Sequence, residues 1–152
     1  MPRRRPGSSV NAYLLDINVL LALSLSRHQY HLAATEWFDE ADFEWATTPI
    51  TESGYIRLAI NPQLTGTPIS TAQAIQALHE LREAVGHRFV VDATTLADPI
   101  IDLGSMVGTK QVTDYHLVNL AARNDMRLAT FDGSLLRSLA QADRGHVYVI
   151  DS

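Results

Sequence analysis

The stretch YLLDINVLLAL, residues 13–23, decides the fold of this chain. Residues 13–15 are an apolar run typical of a buried strand, and Asp16 ends that run. From Asn18 to Ser26 the pattern changes to a Leu-rich segment that is compatible with a helix. An aspartate among so many leucines is costly to bury unless it is paired or binds a cation. The stretch therefore predicts a strand, a turn to a helix, and a functional carboxylate between them.

Three more carboxylates follow apolar runs or begin helical patterns. They are Glu52 in TPITESGYIRLAI, Asp114 in QVTDYHLVNLA and Asp132 in LATFDGSLL. Each has a simple local explanation as well, because Glu52 and Asp114 suit the first turn of a helix and Asp132-Gly133 suits a turn. Asp16 is the hardest of the four to explain locally. It is less plausible that all four acids have unrelated local roles than that they share one site.

Short apolar runs alternate with helical patterns along the whole chain. This alternation predicts an α/β fold with a parallel sheet covered by helices on both faces. Helices are expected between the strands, including one over residues 96–106 that Pro99 would open. In open parallel sheets, ligands bind beyond the carboxyl ends of the strands, which is where Asp16 and Asp132 are expected. The predicted strands are residues 13–15, 43–48, 89–91, 126–131 and 147–150.

Composition limits the class of protein. The chain has 152 residues, no cysteine and a net charge of -5, so disulfides and thiolate chemistry are excluded and a basic nucleic-acid coat protein is disfavoured. We expect a flexible basic leader over residues 1–11 and one domain over residues 12–152. The longest apolar run, residues 19–23, is too short to span a membrane. Asp16 and Asn18 interrupt a signal-peptide pattern, so a cytoplasmic protein is expected.

Four carboxylates in one pocket indicate a bound cation. Two carboxylates about 5 Å apart repel by roughly 3 kcal/mol at an effective dielectric near 20. Hard oxygen ligands select Mg²⁺, or Mn²⁺, and Mg²⁺ uses only one or two carboxylates while keeping several waters. Such an ion lowers the pKa of a bound water, which can then attack a phosphodiester. The pattern predicts metal-dependent hydrolysis.

Three separated segments carry a family resemblance. LLDINVLLAL (14–23), WATTPITESGYIRLAINP (45–62) and QVTDYHLVNLAARNDMRLATFD (111–132) together resemble a PIN-domain ribonuclease, the VapC toxin of a type II VapBC toxin–antitoxin system. The order and approximate spacing of the segments match that family. The resemblance implies a PIN-like three-layer fold, in which helices flank a central, mostly parallel, twisted sheet.

The resemblance also implies roles for particular residues. The family's catalytic acids fall on Asp16, Glu52, Asp114 and Asp132, with Asp16 and Asp114 as the principal Mg²⁺ ligands. Hydrogen bonds around these acids are expected from three small polar neighbours, Asn18, Thr113 and Thr130.

The implied activity is endoribonucleolytic cleavage of RNA such as tRNA or ribosomal RNA. The implied partners are a cognate VapB-like antitoxin and a second copy of the chain in a homodimer. One departure from the family is Tyr115-His116, where many relatives have a small residue and an aromatic. His116 is a candidate for phosphate contact or proton transfer, although a solvent-facing position is as compatible with its place in the pattern.

Two other readings remain open. A receiver-like phosphoacceptor domain also has an acidic pocket on a parallel sheet, but it would require adjacent acids after the first strand and a late lysine, which this chain lacks. A PIN-like binding module without catalysis would keep the fold, although the complete set of acids argues against it. Phosphate contacts by Arg27, Arg57, Lys110 or Arg127 are conceivable, but each is more typical of a solvated surface charge.

Overall fold

The central feature of the molecule is a five-stranded sheet in which every neighbouring pair of strands is parallel. We describe residues 11–40 and 42–152 of a computed structural model. Except for Asn11, the predicted leader lies outside these residues. The spatial order of the strands is β3-β2-β1-β4-β5. The strands are β1 (Ala12–Leu15), β2 (Glu44–Thr47), β3 (His87–Phe89), β4 (Arg127–Thr130) and β5 (Val147–Val149).

Strand β1 lies at the centre of the sheet because it has no charged side chain on either side and its residues favour burial on both. All four of its residues are buried, as expected for a parallel strand covered by helices on both sides. It pairs with β2 through Leu14 opposite Ala46, and with β4 through Leu14 opposite Leu128. The predicted α/β fold is confirmed, and the sheet is parallel throughout its described length.

Seven helices flank this sheet within the described residues. They are α1 (Ile17–Ser24), α2 (His31–Glu40), α3 (Pro49–Ala59), α4 (Pro62–Thr65), α5 (Thr71–Arg82), α6 (Val112–Arg123) and α7 (Gly133–Ser138). Two apolar clusters divide them between the faces. One face of the sheet packs on α6 and α7, and the other packs on α1, α2, α3 and α5. The result is the expected three-layer arrangement.

The direction of winding changes between β1 and β4. From β1 the chain moves outward through β2 to β3, and then returns to place β4 on the other side of β1. A crevice forms where two neighbouring strands lead into connections on opposite faces, and ligands bind in such crevices in open α/β sheets. Asp16 follows β1 and Asp132 follows β4, so both lie at this point of the fold.

The helix predicted over residues 96–106 does not form. The chain there is irregular, although Ile101 is buried at 4% exposure. Two side chains from distant elements hold its backbone: Asn119 Oδ1 accepts from Ile100 N at 2.9 Å, and Asp143 Oδ2 accepts from Asp102 N at 2.8 Å. These bonds satisfy backbone groups that a helix would otherwise have paired internally.

Within the described ranges, no helix combines the length and apolar character needed to cross a bilayer.

Candidate active site

Asp16 is a buried carboxylate at the carboxyl end of β1. Its side chain belongs to a residue only 7% exposed, and Oδ1 accepts from Ile17 N at 2.8 Å at the start of α1. Oδ2 accepts from the Thr130 hydroxyl, also at 2.8 Å. Burial raises the pKa of Asp16, the two hydrogen bonds oppose that rise, and the charge of Asp132 adds to it. Each carboxylate oxygen has a second lone pair, so these bonds leave Asp16 able to accept a further ligand.

Thr130 connects the ends of β1 and β4. Its Oγ1 donates to Asp16 and also accepts from the backbone N of Asp132 at 3.1 Å. Because Thr130 is 1% exposed, these bonds form away from water and hold both aspartates in place. Among the described residues, Thr130 is the one of the three expected small polar neighbours whose side chain forms a hydrogen bond with one of these acids.

Asp114 brings a third carboxylate to the same place. It lies in the first turn of α6 and is half-buried. Burial, followed by the charges of Asp16 and then Asp132, raises the pKa of Asp114 to about 6. The three aspartates therefore interact electrostatically although they come from distant parts of the sequence.

Asp132 divides its two oxygens between structure and the pocket. Its Oδ1 accepts from Ser134 N at 2.9 Å and Leu135 N at 3.3 Å, which caps the first turn of α7. Within the described residues, Oδ2 accepts no hydrogen bond. The turn expected at Asp132 is therefore a helix cap, and the carboxylate still contributes its charge to Asp16 and Asp114.

Glu52 does not share this electrostatic cluster. It lies in the first turn of α3, where Oε2 accepts from the Thr47 hydroxyl at 2.6 Å and Oε1 accepts from Arg82 at 3.2 Å. Its charge is not among the causes that raise the pKa of Asp16 or Asp114. The structure thus brings three of the four expected acids together and directs the fourth toward α5.

A histidine extends the surroundings of Glu52. The Thr47 hydroxyl lies 2.8 Å from His87 Nε2 on β3. Since the single Thr47 proton is donated to Glu52, Nε2 must carry the proton that links His87 to Thr47. Burial, then the charge of Arg82, lowers the pKa of His87, and Glu52 partly opposes this shift. Sequence patterns gave no signal for Arg82 or His87, because both lie about 30 or more residues from the motif they contact.

The remaining predicted neighbours lie on the surface. Asn18 and Thr113 are exposed, and within the described residues neither side chain donates to an acid. Thr113 does not cap α6, because the helix begins at Val112 after a 3-10 turn and its N-cap is Gln111. Thr113 instead lines a groove of ≈ 360 Å³ with residues of α3 that include Ser53 and Arg57.

His116 and Tyr115 have structural partners. His116 Nε2 lies 2.7 Å from Asp92 Oδ2, and its side chain is 17% exposed, so it does not face solvent freely. Tyr115 is fully buried with its hydroxyl near Ser105 and Ser138. The pair that departs from the family pattern is therefore held by partners within this chain and contributes to the packing around α6.

The aspartate cluster suits a hard cation with few protein ligands. Within residues 11–40 and 42–152, no three His, Asp or Glu side chains are close enough to bind one ion together. Mg²⁺ requires only one or two carboxylates and completes its shell with water. Asp16 and Asp114 offer oxygen donors alone, and burial, together with the charges of Asp16 and Asp132, raises the pKa of Asp114, so that a cation beside it would favour its ionised form. The donor set therefore fits Mg²⁺ or Mn²⁺ better than zinc, which favours nitrogen and sulfur.

Comparison with known proteins identifies relatives over most of the chain. No family model matches it. Ribonuclease VapC38 of Mycobacterium tuberculosis (strain ATCC 25618 / H37Rv) is 43% identical over 129 residues, covering 84% of this chain and 89% of the relative. Ribonuclease VapC39 of the same strain is 41% identical over 82% of this chain and 91% of its own length. Ribonuclease VapC44 is 36% identical over 88% of this chain and 96% of its own length. The chain therefore belongs to the VapC family of PIN-domain toxins.

Proposed function

We propose that this chain is a Mg²⁺-dependent endoribonuclease, the toxin of a type II toxin–antitoxin system. The observation that carries the proposal is that Asp16 and Asp114 meet where the sheet changes its direction of winding, and that burial and neighbouring aspartates, including Asp132, raise the pKa of both. A group of carboxylates whose ionisation is made costly by burial and by one another is typical of functional sites. The names of the relatives supply the substrate class, RNA.

Asp16 and Asp114 are the residues that would hold the ion, with Mn²⁺ as a possible substitute. When bound, such an ion supplies a more acidic water and neutralises charge that develops on the phosphate. Thr130 and the backbone N of Ile17 each donate to one oxygen of Asp16, so the carboxylate is held in one orientation and keeps a second lone pair on each oxygen for a ligand. Asp132 contributes negative charge that strengthens cation binding, while its bonds to α7 keep it in place.

Glu52 has a separate part in this proposal. Its carboxylate lies in the neighbouring turn, held by Thr47 and Arg82, and would complete the acidic pocket from the side of β2. The assignment of all four acids as catalytic rests on the family resemblance together with this placement.

The substrate and partners follow from the family. We propose a structured RNA, such as tRNA or ribosomal RNA, as substrate, and a cytoplasmic site of action where such RNAs occur. A VapB-like antitoxin is the proposed inhibitor, because the relatives are named as VapC proteins. A homodimer is the proposed assembly.

Cleavage of RNA by the purified chain tests the proposal. End-labelled unfractionated tRNA and ribosomal RNA are incubated with the protein in Mg²⁺, in Mn²⁺ and in EDTA, and compared with Asp16→Asn under the same conditions. We expect discrete fragments with either cation, none in EDTA, and a loss of at least about 100-fold in rate for the variant, since it removes a metal ligand. Mn²⁺ binding measured by electron paramagnetic resonance gives a readout independent of cleavage.

Asp39→Asn is the matched control, because Asp39 is an exposed aspartate on α2. It should cleave and bind Mn²⁺ like the parent chain. Cleavage that persists in EDTA and in Asp16→Asn would contradict the metal mechanism. If the folded protein binds Mn²⁺ and RNA but cleaves neither tRNA nor ribosomal RNA, the interpretation as a binding module is favoured.

A further inference from the structure

Arg82 is an arginine held in place from two sides. At the end of α5 its NH1 donates to Glu52 Oε1 at 3.2 Å, and its guanidinium carbon lies 5.3 Å from the centre of the Phe89 ring. The ion pair and the cation–π contact together restrict a side chain that would otherwise sample many rotamers. The side chain of Arg82 nevertheless remains 41% exposed.

Most of the hydrogen-bonding capacity of Arg82 is still available. A guanidinium has five N–H donors in a planar fork. Within the described residues, the bond to Glu52 is the hydrogen bond that Arg82 donates. A planar fork with free donors matches the oxygens of a phosphate group, which it binds in bidentate fashion.

The position of Arg82 connects it to the acidic pocket. Arg82 and His87 line a groove of ≈ 450 Å³ between α5 and β3. His87 also contacts Thr47, which donates to Glu52, so the wall of the groove continues into the catalytic turn of α3. The remaining lining residues are Ile75, Leu78, His79 and Glu83.

An acidic site creates a need for such a residue. The proposed substrate carries one negative charge per phosphate, and the pocket itself carries the charges of Asp16, Asp114 and Asp132, so the two repel at short range. A cation fixed at Glu52, the fourth of the expected acids, would offset this repulsion for one phosphate of the RNA. It would also fix the register of the strand relative to the aspartates.

The geometry points to the α5–β3 groove as a binding subsite for the RNA backbone, with Arg82 as the group that binds a phosphate outside the cleaved bond. This inference rests on the proposed ribonuclease function and adds a binding site to it. Glu52 and Phe89 orient the guanidinium before the substrate arrives, which lowers the entropy lost on binding. Arg82 is therefore a binding residue, and its loss acts on RNA affinity more than on the chemical step.

Binding of fluorescein-labelled unfractionated tRNA, followed by fluorescence anisotropy, tests this subsite. All proteins carry Asp114→Asn and the buffer contains EDTA, so that no RNA is cut. We expect Arg82→Gln to raise Kd about 5- to 20-fold at 100 mM salt, because a charged hydrogen bond to phosphate is lost. The slope of log K against log salt should decrease in magnitude by about 0.7 to 0.9, which corresponds to one phosphate contact. Arg82→Lys should keep that slope and regain part of the affinity.

Arg88→Gln is the matched control. Like Arg82, Arg88 pairs with a glutamate, Glu44, at 3.2 Å, and its side chain is 47% exposed. Because side chains alternate along a strand, Arg88 points to the face of β3 opposite to His87 and Phe89, and therefore away from the groove. Its substitution should leave Kd and the salt slope unchanged. Equal effects of Arg82→Gln and Arg88→Gln would overturn the subsite, since they would reflect net charge alone.

Glu52→Gln separates binding from a purely structural role of the ion pair. The substitution removes a negative charge beside Arg82 but keeps an amide oxygen that can accept from its guanidinium, so we expect RNA binding of equal or greater strength. If Glu52→Gln and Arg82→Gln weaken binding alike, the pair acts through structure and the subsite is refuted. If the parent chain cleaves RNA in Mg²⁺ but Arg82→Gln binds RNA as tightly as the parent, the subsite is refuted and the proposed function stands. If the parent chain neither binds nor cleaves RNA, the proposed function fails and the subsite fails with it.

Discussion

Replacing Asp114 with asparagine should stabilise the ion-free protein at neutral pH. The pKa of this carboxyl is about 6 instead of the ordinary 3.8, so its ionised form is disfavoured in the folded state. At full strength the difference corresponds to about 3 kcal/mol above pH 6. Because Asp114 is half-buried, water screens part of the effect, and we expect a gain of about 1 to 2 kcal/mol in the free energy of unfolding.

The stability that Asp114→Asn gains over the parent should increase as the pH rises. Below pH 3.8 the carboxyl is protonated in both the folded and the unfolded state, so Asp114→Asn should differ little from the parent. Between 3.8 and about 6 the carboxyl of Asp114 ionises first in the unfolded chain, which costs the parent stability, and the variant lacks this cost. Above pH 6 the difference should be constant. Loss of a favourable acid at the N-terminus of α6 reduces the gain by about 0.3 to 1 kcal/mol.

Urea denaturation in EDTA at pH 4, 5, 6 and 8 measures this difference, provided that the m-value is unchanged. Mg²⁺ should then reverse the order of stability. At a Mg²⁺ concentration 100 times Kd, the parent should gain about 2.7 kcal/mol and the variant much less, because a principal ligand is missing.

Asp39→Asn again serves as control, because Asp39 is exposed on α2 and its substitution should change the free energy of unfolding by no more than about 0.5 kcal/mol. The reasoning would be refuted if Asp114→Asn were destabilising by the same amount at pH 4 and pH 8. That outcome would mean that Asp114 is held by hydrogen bonds and that its neighbours do not repel it.

Two further substitutions address the supports of the site. Thr130→Val keeps the shape of the buried side chain but removes the hydrogen bond to the Asp16 carboxylate and the one from the backbone N of Asp132. We expect the free energy of unfolding, measured in urea, to fall by about 1 to 3 kcal/mol, and kcat with tRNA as substrate to fall about tenfold or more. Unchanged kcat would show that Asp16 is oriented without Thr130. Asp143→Ala removes the acceptor of the Asp102 backbone N, so we expect about 1 to 3 kcal/mol of destabilisation. The variant should still bind Mn²⁺ fully, because the bond lies in the irregular segment 96–106 and involves none of the three aspartates. Loss of Mn²⁺ binding would contradict this.

The sheet could be predicted because each strand is defined by its own local sequence. An apolar run of four residues such as β1 has no amphipathic alternative, and the helical segments between runs dictate parallel crossovers. The position of Asp16 and Asp132 at the carboxyl edge follows directly. Strand ends shifted by one to two residues, as with β3, which begins at His87 and not at residue 89.

Residues 96–106 show where local patterns fail. Their apolar residues have helix-like spacing, but the decisive contacts come from Asn119 and Asp143, which are 19 and 41 residues away from their partners. Propensity is a weak guide when side chains from other elements satisfy the backbone. A sequence shows that Asn119 and Asp143 are polar, and it does not show that both are buried.

The placement of Glu52 has a related physical cause. Sequence reasoning treats four neighbouring carboxylates as having two outcomes, protonation or capture of a cation. The structure shows the first tendency in Asp114, whose pKa rises, and a third outcome in Glu52, which is neutralised by Arg82 of the same chain. That arginine comes from α5, which has no acidic motif of its own, so its role was invisible before folding. A positive charge at the end of α5, 30 residues from the acid that it meets, therefore sets the fourth acid apart from the three aspartates without any cation from solution.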